Sequence, residues 1–281
     1  RIINAPNKEL KYIQSKLAEE LYLYRKKLTE EKELIGGVSQ AFEKGKNIFT
    51  NALVHRNKRY VINMDLENFF DSFHFGRVRG FFLKSREFEL PNEVATVLAK
   101  IVCCDGKLPQ GAPTSPIISN MICNIFDIRI IKLAKKYRLD YTRYADDLCI
   151  SFKNNINNEE IKEEIIKIVS KLLKRYSLKL NNNKTRNYNI NVVNHIKITG
   201  INIVVKENGK RTLSVGKKIK NNLFWCAINL YKDKNSNKDY QKQSLRIKGL
   251  NSFILSIEKN GYEDCYSEKM KNIIIKLGFE N

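Results

Sequence analysis

The sequence Tyr144-Ala145-Asp146-Asp147 decides the fold prediction, because it places two adjacent acidic residues inside the apolar stretch 141–152. Residues 148–152 have the composition of the return strand of a hairpin, so the acidic pair is predicted at its tip. Two carboxylates in such a turn repel each other and resist desolvation unless cations neutralise them. An Asp-Asp pair by itself is usually a solvated turn or a helix N-terminus, so the context must carry the interpretation.

A second apolar segment supplies a third carboxylate. Residues 60–64 have the composition of a buried strand, and Asp65 follows them directly. Three carboxylates at strand ends can hold two Mg²⁺ ions roughly 3.5–4 Å apart, which activates an attacking hydroxyl and stabilises a leaving phosphate oxygen. We therefore predict that Asp65, Asp146 and Asp147 form the two-magnesium catalytic site of a nucleotide polymerase.

The composition indicates a globular protein with a polyanionic partner. The chain has 281 residues and 42% hydrophobic content, which is enough for a sizeable core. Its formal charge of +21 favours nucleic acid as the partner, with a membrane surface as the second candidate. No apolar run approaches the roughly 18–20 residues of a spanning helix, and no charged-then-apolar leader opens the sequence, so we predict no membrane association.

The six cysteines predict reduced thiols in a cytoplasmic protein. They form no Cys-x-x-Cys pair and have no histidine at zinc-ligand spacing, so a metal or disulfide role is the less favoured alternative.

Helices alternating with strands predict an α+β fold. Apolar residues at helical spacing between residues 10 and 28 predict a helix that Asn7 caps. A second helix should begin at Pro91-Asn92, and its apolar face should be formed by Val94, Val97, Leu98, Ile101 and Val102. Strands at 178–180 and 195–205 should complete an antiparallel sheet.

The stretch Leu108–Pro116 predicts a stiff loop, because three of the five prolines fall within it. A long amphipathic helix should run from Pro116 to about residue 137. Beyond Gly216 the pattern is helical and rich in lysine, and we place a boundary near residue 210. These terminal helices are either an ordinary helical subdomain or a basic one that grips a duplex.

Four separated motifs resemble those of reverse transcriptases. They are the acidic motif at 63–72, the Pro-Gln-Gly loop at 108–116, the turn at 144–147 and the basic motif at 181–185. The resemblance implies a right-hand polymerase with fingers at 1–58 and 73–107, a palm at 59–72 and 108–210, and a helical thumb at 211–281.

The same resemblance implies roles for individual residues. The Leu66 carbonyl would complete a metal shell, and Phe70 would lie under the nucleotide sugar and exclude a 2′-hydroxyl. Gln110 would touch the incoming nucleotide or the template. Lys184 would support the departing pyrophosphate, and Arg1 would clasp the triphosphate. The alternatives are that Phe70 is an ordinary core residue and that Lys184 is an ordinary solvated lysine.

Two shorter motifs resemble those of bacterial retron reverse transcriptases. Asn51 and His55 match an Asn-Ala-x-x-His signature, and Thr199-Gly200 matches a Val-Thr-Gly signature with isoleucine in place of valine. His55 by itself could be a satisfied loop histidine. The resemblance implies that these four residues help to recognise RNA.

A retron enzyme, by this resemblance, copies a cognate structured noncoding RNA (msr-msd) into single-stranded DNA. Synthesis starts from an RNA 2′-hydroxyl and yields branched msDNA, an RNA–DNA hybrid. The implied substrates are dNTPs, and the implied partner is an effector protein in defence against phage.

Two alternatives stay open on the sequence. One is another bacterial reverse transcriptase, of the group II intron, diversity-generating or abortive-infection type. The other is a catalytically silent polymerase-like module that binds RNA, against which the three intact aspartates argue.

Overall fold

The computed structural model describes residues 3–31, 36–153, 159–193, 195–232, 239–258 and 266–278. The chain forms two compact units, Arg1–Asn189 and Ile190–Asn281. Helices and antiparallel sheets occur together, which confirms the predicted α+β class. The finer division into fingers, palm and thumb stays a prediction. In the described residues, no helix has the length and apolar character needed to cross a bilayer.

The first unit is built around an antiparallel sheet with strand order β2-β3-β1-β4. The strands are β1 (Tyr60–Asp65), β2 (Asp140–Tyr144), β3 (Asp147–Phe152) and β4 (Arg186–Asn189). β1 lies in the centre and pairs with β3 from Tyr60 opposite Phe152 to Asp65 opposite Asp147. The predicted strand before Asp65 and the predicted acidic hairpin are both confirmed.

Helices cover this sheet and supply most of its core. In chain order they are α1 (Lys8–Glu30), α2 (Ile48–His55), α3 (Phe75–Lys84), α4 (Asn92–Val102), α5 (Ser115–Tyr137) and α6 (Glu159–Lys174). The Asn7 side chain accepts a hydrogen bond from the Leu10 amide at 2.9 Å, which confirms the predicted cap of α1.

The predicted apolar face of α4 is confirmed in part, because Val102 is in the core and Leu98 and Ile101 pack against it. Ala95, Ala99 and Val102 are buried, whereas Val94 and Val97 are 45% and 54% exposed. The periodicity of a short helix with apolar residues on several sides does not determine which side meets the core. The small residues face inward here because α4 packs against α3 and α1.

The second unit contains a separate antiparallel sheet and a helical region. Strands β5 (His195–Ile198), β6 (Ile201–Val205) and β7 (Arg211–Ser214) form the sheet, followed by α7 (Lys217–Lys232), α8 (Tyr240–Ile257) and α9 (Glu268–Lys276). The predicted single strand 195–205 is two strands, because Thr199 and Gly200 both have positive φ and reverse the chain. Residues 178–180 contribute only an isolated bridge from Leu180 to Leu66.

The Pro-Gln-Gly loop supports the N-terminal segment of the chain. The Asn4 amide donates a hydrogen bond to the Gln110 carbonyl at 2.9 Å. Gly111 has a φ of +114°, and a Cβ atom there would lie 2.8 Å from Cγ2 of Ile3 and 3.1 Å from the Asn4 carbonyl oxygen. Only glycine therefore allows the N-terminal segment to approach this loop.

We predict that Gly111→Ala lowers the free energy of unfolding by about 1–3 kcal/mol, because it combines backbone strain with a collision against Ile3. Denaturant unfolding measures the change. Gly80→Ala is the matched control, because Gly80 lies inside α3 and a Cβ atom added there would meet nothing within 4 Å. The control should be stabilised by about 0.5–1 kcal/mol. Equal effects of the two substitutions would contradict the packing argument.

Candidate active site

The three predicted catalytic aspartates lie at one end of the four-stranded sheet. Asp65 ends β1 and stands opposite Asp147, the first residue of β3. Asp146 lies in the two-residue turn after β2, where Ala145 takes a positive φ of 55°. The Leu66 amide donates a hydrogen bond to the Asp146 carbonyl at 3.0 Å, so the turn is held against the end of β1. The sheet register, therefore, gathers carboxylates from distant parts of the sequence.

Lys184 provides a positive charge at this cluster. Its ammonium lies 3.2 and 3.1 Å from the two carboxylate oxygens of Asp65. The turn that carries it is fixed to β1, because the Asn181 amide donates to the Asp65 carbonyl at 2.8 Å. The Lys184 side chain remains 57% exposed, whereas that of Asp65 is 15% exposed. Asp65 is therefore held by the sheet, whereas the ammonium group of Lys184 remains accessible to solvent.

Repulsion within the cluster is visible at Asp147. Desolvation, followed by the charges of Asp146 and Asp65, raises the pKa of Asp147 to about 6, and Lys184 partly offsets this rise. The side chain keeps contact with solvent, so most of this crowding can be relieved by a cation from solution.

A divalent metal ion requires several oxygen ligands held close together. Within the described ranges, no three side chains of His, Cys, Asp or Glu already meet around a single point. The donors are nevertheless all oxygens on rigid strand ends, and their mutual repulsion favours a bound cation. The donor chemistry of Asp65, Asp146 and Asp147 therefore fits Mg²⁺, and the Leu66 backbone borders the same site.

A groove of about 930 Å³ opens beside the carboxylates. It brings together several residues predicted from the sequence. Its lining includes Asp65, Leu66, Phe70, Gln110, Asp146 and Lys184. Phe70 is half-buried and packs edge-on against Phe69 with ring centroids 5.2 Å apart. Both residues line the groove, but Phe69 is only 4% exposed, so Phe70 presents the more accessible ring.

Asn51 and His55 occupy a different position. They are 1% and 0% exposed, in a polar network that connects α2 with β2 and β3. The Thr142 hydroxyl donates to the Asn51 side-chain oxygen at 2.6 Å, so it must accept from His55 Nε2 at 2.7 Å. His55 Nδ1 then accepts from the Ser151 hydroxyl at 2.6 Å. A role in RNA recognition stays a prediction, but these side chains meet protein rather than solvent.

The other predicted recognition residues lie in the second unit. Thr199 and Gly200 form the turn between β5 and β6, with φ values of 45° and 93°. Their predicted contact with RNA stays a prediction. Arg1, predicted to clasp the triphosphate, lies outside the described residues.

Five groove residues lie outside the motifs predicted from the sequence: Asn4, Phe42, Cys104, Asp105 and Lys107. Asn4 is placed by its backbone bond to Gln110. The only sequence signal at Phe42 is an aromatic residue in a polar loop, which is too common to indicate a site.

Comparison with known proteins assigns the family. The model of the family "Reverse transcriptase (RNA-dependent DNA polymerase)" matches residues 1–203. The chain belongs to the reverse transcriptase family. The matched region includes the acidic hairpin, because Asp65, Asp146 and Asp147 all lie within residues 1–203.

Several retron enzymes are similar to this reverse transcriptase, which confirms the resemblance noted from the motifs. Retron Ec86 reverse transcriptase from Escherichia coli is 39% identical over 54% of this chain and 44% of its own length. Retron Mx162 reverse transcriptase from Myxococcus xanthus is 36% identical over 54% of this chain and 33% of its own. Retron Ec83 reverse transcriptase from Escherichia coli is 28% identical over 92% of this chain and 79% of its own length.

The matched regions thus span less than half of the length of the first two relatives. Among solved structures, apo telomerase from Candida tropicalis covers 98% of this chain and 49% of its own at 13% identity, with a TM-score of 0.45. That likeness adds nothing to the family assignment.

The buried histidine of the reverse transcriptase predicts a pH-dependent stability. Burial, followed by the charge of Lys58, lowers the pKa of His55 from 6.5 to about 3. The unfolded chain therefore binds more protons than the folded chain between these values, and the folded state loses stability as the pH falls through this window. From pH 7 to pH 5 we expect His55 to account for a loss of about 2 kcal/mol.

Denaturant unfolding of the protein and of His55→Gln at both pH values measures this effect. The variant should be less stable at pH 7 by about 1–3 kcal/mol, since the network is broken, but should lose less on acidification. Asp147, with its raised pKa, changes stability in the opposite direction and is common to both proteins, so it cancels in the comparison. His195→Gln, at an exposed histidine, should lose as much as the parent. An equal loss in the parent and His55→Gln would contradict the prediction.

Proposed function

We propose that this chain is a retron-type reverse transcriptase that copies a structured RNA into single-stranded DNA. The observation that carries the proposal is that the sheet places Asp65, Asp146 and Asp147 at one of its ends, beside the groove that Asp65 and Asp146 line, inside the region that matches the reverse transcriptase family. A polymerase needs carboxylates at a rigid position beside a space for substrate, and this arrangement supplies both.

The residue roles follow from the donor chemistry. Asp65 and Asp146 would hold two Mg²⁺ ions, with Asp147 nearer to the primer and the Leu66 carbonyl as an added oxygen donor. Two such ions, when bound, stabilise the charge on the attacking and leaving oxygens of an in-line displacement. Lys184 would place its exposed ammonium toward the departing pyrophosphate, where a positive charge opposes the charge that develops.

The remaining groove residues would position the nucleotide. Gln110 is supported by the proline-rich loop and would contact the incoming nucleotide or the template. Phe70 would lie under the sugar ring and exclude a 2′-hydroxyl, so that dNTPs are selected over rNTPs. Its half-buried ring is braced by Phe69, which gives the barrier the rigidity that steric selection requires. Arg1 would clasp the triphosphate.

The retron subtype rests on the similarity to retron enzymes and on the motifs at 51–55 and 198–200. The proposed partner is a cognate noncoding RNA (msr-msd), with a 2′-hydroxyl as the primer and branched msDNA as the product. An effector protein and a role against phage belong to the same proposal. The basic charge of +21 supports a nucleic-acid partner. A cytoplasmic location is supported by the free thiols of the five described cysteines.

The aspartates are tested by Asp146→Asn and Asp147→Asn. Each should lower incorporation of dNTPs into a primed RNA template by at least about 10³-fold, because the charge that holds the cation is lost. Binding of the same RNA should change little, since replacing a carboxylate by an amide removes none of the positive charges that attract phosphates. Incorporation assays with and without Mg²⁺, paired with RNA binding, provide the measurement. Loss of binding with retained synthesis would overturn the catalytic assignment.

Sugar selection is tested by Phe70→Val. The smaller side chain should admit rNTPs, so the ratio of kcat/KM for dNTP to that for the matching rNTP should fall by about tenfold or more. Phe82→Leu is the control, since that ring is buried in the main core and does not line the groove. Unchanged selectivity in Phe70→Val would exclude this residue as the gate.

The retron subtype is tested by the nucleic acid that copurifies with the protein. We expect a single-stranded DNA joined to RNA through a 2′–5′ bond, which a debranching enzyme converts into two separate molecules. Recovery of unbranched nucleic acid from an enzyme that incorporates dNTPs would favour another reverse transcriptase type.

A further inference from the structure

Phe42 is an exposed aromatic residue in the wall of the candidate groove. It lines this space together with Asn4, Phe70 and Gln110, and 39% of its surface is accessible. Its ring does not belong to the main hydrophobic core or to the partly buried residues packed against that core. The ring therefore contributes less to the folded state through burial than a core phenylalanine does.

The backbone at Phe42 is strained. Its φ is +58°, in the left-handed region that favours glycine. A bulky residue is an outlier in this region, and it persists only where its surroundings leave the chain no alternative. Strain of this kind together with an exposed ring is typical of functional positions, where the direction of the side chain matters more than its contribution to folding.

Buried polar contacts on both sides of Phe42 impose this conformation. The Gln40 amide donates to the Arg143 carbonyl at 2.8 Å, and the Asn120 side-chain amide donates to the Ala41 carbonyl at 2.9 Å. After the ring, the Glu43 carboxylate accepts from Arg25 Nε at 2.8 Å. Gln40 and Ala41 are each 1% exposed. The ring thus projects from an immobile support into the groove.

We propose that Phe42 is a stacking platform for a nucleobase in the groove. The proposal rests on the proposed function and extends it to the face of the base, which none of the groove residues discussed above would contact. Bases present apolar π-faces, and aromatic side chains bind them with little dependence on sequence. The base belongs either to the template or to the incoming dNTP, and the experiment separates these two sources.

The test compares Phe42→Leu, which keeps apolar bulk but loses the aromatic face, with Phe42→Trp, which keeps a face. Tyr12→Leu is the matched control, because Tyr12 is a 66% exposed aromatic residue on α1 that does not line the groove. Three quantities are measured for each variant. They are the Kd for an oligo(dT)-primed poly(rA) template without dNTP, the KM for dTTP, and the inhibition constant of tripolyphosphate, which has no base.

Phe42→Leu should raise either the Kd or the KM by roughly 5- to 100-fold, the range for the loss of one stacked base. A raised Kd identifies the template base, and a raised KM with unchanged Kd identifies the dNTP base. Phe42→Trp should restore the affected constant, and tripolyphosphate inhibition should stay unchanged. If neither constant rises, if tryptophan does not restore it, or if tripolyphosphate binding weakens equally, the proposal is overturned.

Phe42→Gly separates stacking from a structural role. Glycine relieves the positive φ, so the variant should unfold at the same or a higher denaturant concentration while losing the same affinity as Phe42→Leu. A destabilised Phe42→Gly would assign the ring to folding instead. The template Kd requires no catalysis, so it tests stacking even if the parent incorporates no dTTP, which would refute the proposed function alone.

Discussion

The buried ion pair between Arg143 and Asp127 holds the candidate site in place. Arg143 is 0% exposed, and its guanidinium donates to both carboxylate oxygens of Asp127, at distances from 2.8 to 3.1 Å. Burial lowers the pKa of Arg143, but the charge and hydrogen bonds of Asp127, together with Cys123 and Tyr141, hold the pKa above its usual range. Removing one partner of such a pair costs about 3–5 kcal/mol, because a charge is left unpaired in the core.

The ion pair between Arg143 and Asp127 also positions neighbouring segments of the chain. Arg143 directly precedes the acidic turn, and its Nη1 also donates to the Asn120 side chain at 2.9 Å. Its backbone joins the loop before α2, accepting from Gln40 and donating to the Val38 carbonyl. One residue therefore connects α5, the start of the acidic hairpin and the loop that carries Phe42. The candidate catalytic carboxylates and the proposed base platform are positioned by the same buried residue.

Several features of the candidate site lower the stability of the folded state. Three carboxylates lie at one sheet end, and the pKa of Asp147 rises to about 6 through desolvation and the charges of Asp146 and Asp65. Phe42 adds an exposed ring on a strained backbone. Such unfavourable local conformations persist where many contacts hold the surrounding core in one arrangement. The paired strands and the buried polar networks provide those contacts.

Local apolar patterns and turn chemistry were enough to predict the α+β class, the strand that ends at Asp65 and the acidic hairpin. Motifs in the sequence also pointed to the family that the comparison confirmed. The same reasoning did not find that Ala95 and Ala99 of α4 face inward, the turn at 199–200 within a predicted strand, the burial of His55, or the position of Phe42. The last two depend on neighbours distant in sequence, Thr142 for His55 and Arg143 for the Phe42 loop. Local propensity contains no information about such neighbours, so long-range packing determines which side chains are enclosed and which reach the groove.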